Sequence, residues 1–278
     1  MPFSRKLKTK YCEWTGQLRE VPDFLIVGTS FCAKTLLYHY LVEHPQICEN
    51  LREETGYFLN HYDKGINWYK SNFSSKIYKI FFKLLHGTDP LVGETVNLPG
   101  TLIPKRISKT IPNPKIILIL RNPVDRAYTR YLAMKRKGLE ELSFEDAIKN
   151  ETEKIGNNEQ SLINEELWPP RDIKLRLYTL GGIYVEFLES WAKFFPKEKM
   201  LVISTECLFN EPLTTVNIVL KYLGLSTLNQ LEHKGNYFEK DAISMNPKIK
   251  KKLEDYFRPY NKRLYNFLGK EFGWDDNI

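Results

Sequence analysis

Two short stretches of the chain combine side chains and spacings that suit an anion. In FLIVGTSFCAKTLLYHYL, which starts at Phe24, an apolar run ends in Gly28 and Lys34-Thr35 opens a helical pattern. A loop from a buried strand into a helix aims successive backbone N–H groups and the positive helix end at one point. Gly28 supplies the tight turn, Lys34 a charge and Thr35 a hydroxyl. Read as G-x-x-x-x-A-K-T, the loop departs from the phosphate-cradling pattern G-x-x-x-x-G-K-[ST] at Ala33. A plain strand-to-helix turn also accommodates these residues.

The second stretch, KIILILRNPVDRAYTRY, runs from Lys115 to Tyr131. A buried strand ends in Arg121, Asn122-Pro123 turns the chain, and a helix follows from about Asp125. Arg121 then sits at the C-terminal edge of the sheet, where open α/β folds bind ligands. Thr129 lies two helical turns further on and reaches the same side. A guanidinium fork with a hydroxyl suits a phosphate monoester. A nucleoside triphosphatase needs a magnesium-binding Asp where this strand has Arg, which counts against a kinase or NTPase using Ala33, Lys34 and Thr35.

The elements that must position these residues follow from the apolar pattern. FLIVG (24–28), KIILIL (115–120) and MLVIS (200–204) are short, branched and nearly unalternating, as strands covered on both faces are. Helical patterns lie between them: KTLLYHYLVEH, DRAYTRYLAMKRKG and IYVEFLESWAKFF. The alternation predicts an α/β fold, with a central, mostly parallel sheet between helical layers. The C-terminal PKIKKKLEDYFRPYNKRLYNFLGKEFGWD has helical spacing and is expected to break at Pro259. Polar stretches 156–172 and 226–247 read as loops with the reach to cover a site.

Composition narrows the class. The 278 residues, 42% hydrophobic and 27% charged, suit one domain (22–278) after an N-terminal extension (1–21). The formal charge of +7 suits an anionic ligand, but Lys and Arg are spread along the chain, which argues against nucleic acid. Cys12, Cys32, Cys48 and Cys207 have neither metal-ligand spacing nor a disulfide pattern, so no metal is expected. No secretory leader and no apolar run of membrane-spanning length is visible, and the expected location is cytoplasmic. Oligomeric state is not legible.

With both motifs in view, the sequence resembles a known family. RNPVDRAYTRY looks like the 3'-phosphate signature of the 3'-phosphoadenylyl-sulfate (PAPS) sulfotransferases, with Thr129 where serine is usual. FLIVGTSFCAKTLLYHYLVEHPQI is similar to their 5'-phosphosulfate strand, loop and helix. EETGYF with HYDKGINWYKSNF, and the later GGIYVEFLESWAKFFPKEKMLVISTECLFNEP and RPYNKRLYNFLGKEFGWD, resemble the heparan sulfate N-/O-sulfotransferase branch. The likeness runs over roughly residues 22–275, with the motifs in order.

The resemblance implies a P-loop-type fold and transfer of a sulfuryl group from PAPS to a hydroxyl or amine. The acceptor class it suggests is carbohydrate, the product is adenosine 3',5'-bisphosphate, and no metal takes part. By alignment Cys32, Ala33, Lys34, Thr35 and Leu36 wrap the 5'-phosphosulfate, and Arg121 and Thr129 hold the 3'-phosphate. Lys234-Gly235 resembles an element covering the nucleotide. Glu54 falls on the acidic position of the Glu-x-x-aromatic-Phe motif and is the expected base, with Glu53 its neighbour and His61 a second candidate. The acceptor is expected to be set by loops in 60–90, 135–172 and 226–247.

Two positions depart from the family. Phe31 stands where a lysine usually contacts the bridging oxygen, and Thr95 replaces a second lysine in GETVNLPG. Lys34, where threonine is usual, is the candidate to supply the missing charge. A family member that binds nucleotide as a scaffold but turns over poorly is the competing expectation.

Overall fold

The computed structural model describes residues 5–156, 177–232 and 245–274, with side chains from residue 10 onward. Five strands form one parallel sheet in the order β2-β3-β1-β4-β5: β1 (Phe24–Gly28), β2 (Ile47–Cys48), β3 (Leu91–Asn97), β4 (Lys115–Leu120) and β5 (Met200–Ser204). The three strands expected from their apolar runs are β1, β4 and β5. β1 lies at the centre with every residue buried. Its Phe24 pairs with Gly93 on one side and Lys115 on the other. A Cβ at Gly93 would come within 2.2 Å of the Phe24 ring, so only glycine lets β3 approach there.

After β1 the chain passes through α2 (Lys34–Leu41) to β2 and back to β3. It then crosses through α6 (Leu102–Thr110) to β4 on the opposite side of β1. This reversal is the switch point of an open α/β sheet, and the loops leaving β1 and β4 diverge there to leave a crevice. α2 packs over β1 and β3 and against α11 (Pro212–Leu223), which also reaches β5. A second group of packed helices comprises α7 (Pro123–Arg136), α9 (Tyr184–Ala192) and α12 (Pro247–Leu268). The short α10 (Thr205–Asn210) follows β5 directly.

After the short α3 (Tyr57–Asn60), helices also occupy segments read as acceptor loops: α4 (Gly65–Lys70), α5 (Lys76–His86) and α8 (Phe144–Ile155). Residues 10–18, at the end of α1 (Arg5–Trp14), lie against α4, where Gly16 touches the Asn67 backbone. The expected break at Pro259 is corrected by the structure, which shows α12 running through it. Leu253, Phe257, Asn261 and Leu264 form one buried stripe on both sides of the proline, while Pro259 itself faces solvent. Burial of that stripe outweighs the lost N–H, and the carbonyl it would have met lies on the wet side.

Candidate active site

The loop after β1 is built against the ordinary preferences of its residues. Phe31 (φ 73°) and Ala33 (φ 60°) both adopt the left-handed conformation, which costs non-glycine residues roughly 1–2 kcal/mol each. Contacts from distant elements hold it there. The Arg121 guanidinium, from the end of β4, donates to the Phe31 carbonyl at 3.1 Å. Thr205 donates to the Cys32 carbonyl at 3.0 Å. The Tyr184 hydroxyl donates to the Arg121 carbonyl at 2.8 Å and lies 3.6 Å from the Cys32 sulfur. The two stretches that the sequence marks as candidate anion sites are thus fastened to each other.

The first turn of α2 points its amides into this loop, as any helix N-terminus does. Cys32, Ala33 and Leu36 are buried, so what they can offer a ligand is backbone. Thr35 is half-buried and its hydroxyl donates to Glu53 at 3.0 Å. At the head of α7, Asn122 accepts from the amides of Val124 and Asp125, and Pro123 needs no partner for the N–H it lacks. Thr129 lies half-buried further along α7.

Lys34 is buried, and its ammonium turns back under the loop. It donates to the carbonyls of Gly28 (2.9 Å) and Thr29 (3.2 Å) and lies 3.5 Å from Asn97 Oδ1. Burial lowers its pKa; the nearby acids, Glu54 first, oppose that. Asn97, at the end of β3, donates in turn to Glu54 Oε1 at 2.6 Å. Lysine, asparagine and glutamate therefore form a chain from the inside of the loop to the exposed Glu54 carboxylate.

The turn carrying Glu54 is anchored from below. Thr95 donates to the Glu53 carbonyl through its amide (2.8 Å) and its hydroxyl (3.3 Å). Glu94 is fully buried and accepts from the Thr55 amide (3.1 Å), the Thr55 hydroxyl and the Tyr69 hydroxyl (2.6 Å). Burial pushes its carboxyl up to about 7, against the pull of those hydrogen bonds. His61 stacks edge-on against Trp68, with ring centres 5.2 Å apart.

Two adjoining clefts open here. One of about 360 Å³ is lined by Thr29 and Ser30 of the loop, by Asn97, and by Arg126 and Arg130 of α7. The other, about 280 Å³, holds Glu54 and Thr95 and shares Asn97 and Leu59 with the first. Arg126 and Arg130 stand one helical turn apart and are both buried. Arg126 donates to the Tyr178 carbonyl, and a Cβ at Gly181 would come 3.0 Å from its Nη1. Arg130 stands over the Phe31 ring at 5.9 Å, and burial, then the charge of Arg126, lower its pKa to about 10. It is cationic at neutral pH, on the cleft wall beside the aromatic side chain at position 31.

The structure therefore brings Cys32, Ala33, Lys34, Thr35, Leu36 and Arg121 to one loop, with Thr129 on the adjoining α7 and Glu54 linked through Asn97. Lys234 and Gly235 lie outside the described residues, as do 157–176 and most of the 226–247 stretch. Sequence reasoning missed Asn97, Arg126, Arg130, Tyr184 and Thr205. Only the arginines left a signal, as an i, i+4 pair in DRAYTR behind a helix-starting proline.

Known proteins resemble the chain over most of its length. A family model described as the sulfotransferase domain matches residues 21–263. The membrane-associated sulfotransferase kil1 of Dictyostelium discoideum is 27% identical, the match covering 94% of this chain and 68% of that protein. Human heparan sulfate glucosamine 3-O-sulfotransferase 3B1 is 24% identical, covering 92% of this chain and 66% of that protein. The chain thus spans about two thirds of the length of these relatives. The crystal structure of a sulfotransferase from Alicyclobacillus acidocaldarius superposes with a TM-score of 0.67 at 26% identity, covering 92% of this chain and 99% of that one. A matched family model over most of the length and a shared fold carry one conclusion beyond the motifs themselves: the chain belongs to the sulfotransferase domain family.

Proposed function

We propose that the chain transfers a sulfuryl group from PAPS to a hydroxyl or amine of a carbohydrate acceptor. The observation that carries this reading is the junction of the loop after β1 with the Arg121 turn. The reading takes the joined stretches as a 5'-anion site beside a 3'-phosphate site, with the Glu54 carboxylate in the neighbouring cleft. In this reading Arg121 and Thr129 hold the 3'-phosphate, while the backbone of 32–36 receives the 5'-phosphosulfate. Glu54 takes the acceptor proton as the acceptor atom bonds to sulfur. The S–O bond to the 5'-phosphate breaks, and its electron pair leaves on the phosphate oxygen of adenosine 3',5'-bisphosphate. Negative charge spreads over the moving group, so catalysis is positioning plus cationic stabilisation. The heparan sulfate relative supports a glycan acceptor.

A second reading has its own support. With Phe31 and Thr95 at the two lysine positions and the Lys34 ammonium held by loop carbonyls, the protein would bind nucleotide and turn over poorly. Calorimetric titration of adenosine 3',5'-bisphosphate without magnesium, followed by a labelled-donor assay on glycan acceptors, separates the two. Micromolar binding lost in Arg121→Ala, with transfer by the wild type, is expected. Binding without transfer to any acceptor favours the second reading, and absence of wild-type binding overturns both.

A further inference from the structure

Helix α5 faces the wrong way for a helix in water. Its sequence KIYKIFFKLLH is a well-bounded amphipathic helix: Ser75 accepts from the Tyr78 amide at its start, and Gly87 closes it in the left-handed conformation. Yet none of its residues is buried, and only Lys79 and Phe82 are half-buried. The side turned to the body carries Lys79 and Phe82, and the Lys79 ammonium lies 3.1 Å from Glu20 and from Asp23. The apolar side points outward, with Ile77, Ile80, Phe81, Leu84 and Leu85 between 55% and 79% exposed. An antiparallel bridge between Arg19 and Ser75 joins the start of α5 to the segment after α1. That segment and α1 expose Leu18 (53%), Trp14 (86%) and Tyr11 (60%).

Charge identifies the occupant of this face. Between Asp63 and Asp89 the chain has five lysines and no acid, of which Lys79 and Lys83 are paired with acids, and before Glu13 it carries Arg5, Lys6, Lys8 and Lys10 with no acid. Lys76 is exposed at the border of the apolar side; Lys83 reaches back to Asp89 at 2.7 Å. A second copy docking on this face would bring cations against cations. Lipid phosphates meet both needs: apolar and aromatic side chains enter the acyl boundary while lysine stems extend to the headgroups.

We infer that α5, with Tyr11, Trp14 and Leu18 on the neighbouring segment, is a docking surface for an anionic lipid bilayer, which it lies on and does not cross. The test is co-sedimentation of the full chain with vesicles of phosphatidylcholine alone or mixed with phosphatidylserine. The wild type is compared with the triple variant Phe81→Gln, Leu84→Gln, Leu85→Gln. These side chains are exposed, so the variant keeps its fold, which a melting curve verifies. The expected result is binding to the mixed vesicles, weakened by salt and reduced roughly a hundredfold in the variant. Absence of wild-type binding to the mixed vesicles, or equal binding by the folded variant, overturns the inference. A lipid-free dimer that the substitutions dissolve, without vesicle binding, also overturns it and assigns the face to a second copy.

Discussion

On the proposed function, two side chains in the clefts have separable roles. Glu54 reaches the cleft with one oxygen held by Asn97. In Glu54→Gln the amide oxygen can keep that bond, so only the proton-accepting capacity is removed. The expected result is a kcat lower by about 10²–10⁴, with calorimetric affinity for adenosine 3',5'-bisphosphate unchanged. Arg130 is one of two buried arginines on the cleft wall and the one over Phe31, where the family resemblance leads one to expect a lysine. Arg130→Met should lower kcat about a hundredfold, and Arg130→Lys should recover part of it. An unchanged KM for the donor would place the loss in the transfer step. Neither Asn97 nor Arg130 was singled out from sequence: an asparagine closing a strand carries no spacing that announces a site, and Arg130 left only its i, i+4 spacing from Arg126 behind a helix-starting proline. Lys34 was singled out, but its inward turn depends on the carbonyls that the fold places beneath it.

Elements show the same division between what patterning reveals and what packing decides. β1, β4 and β5 are legible as continuous apolar runs, whereas β3 is interrupted by Gly93-Glu94 and β2 has two residues. Both interruptions of β3 serve tertiary needs, glycine admitting Phe24 and glutamate anchoring the turn of Thr55. Burial holds Glu94 with a pKa of about 7, above its ordinary 4.5. Its contribution to stability is therefore complete below about pH 4.5 and is lost as pH rises through 7, on the order of 3 kcal/mol. Glu94→Gln should flatten the fall in melting temperature between about pH 5 and pH 8. The loop after β1 makes its own prediction. Ala33→Gly removes the left-handed penalty and should stabilise by about 0.5–1 kcal/mol, whereas Ala33→Val should cost about 2 kcal/mol or more. Urea unfolding measures both.

At the scale of the molecule, the alternation of apolar runs and helical patterns sufficed for the layered α/β architecture, and the order of motifs sufficed for the family. What tied the site together was not legible, because its fasteners come from far along the chain. Thr205 meets Cys32 across 173 residues, and Tyr184 meets it across 152. Contacts of such separation form late, after many shorter closures have met their entropy cost. On the proposed function, the donor pocket should therefore be among the last parts that the folding chain completes. A nascent or truncated chain ending before β5 should show helical signal yet no affinity for adenosine 3',5'-bisphosphate. In refolding experiments, recovery of nucleotide binding should lag recovery of helix, so that the ligand serves as a clock for the final docking of β5 rather than a template for the loop.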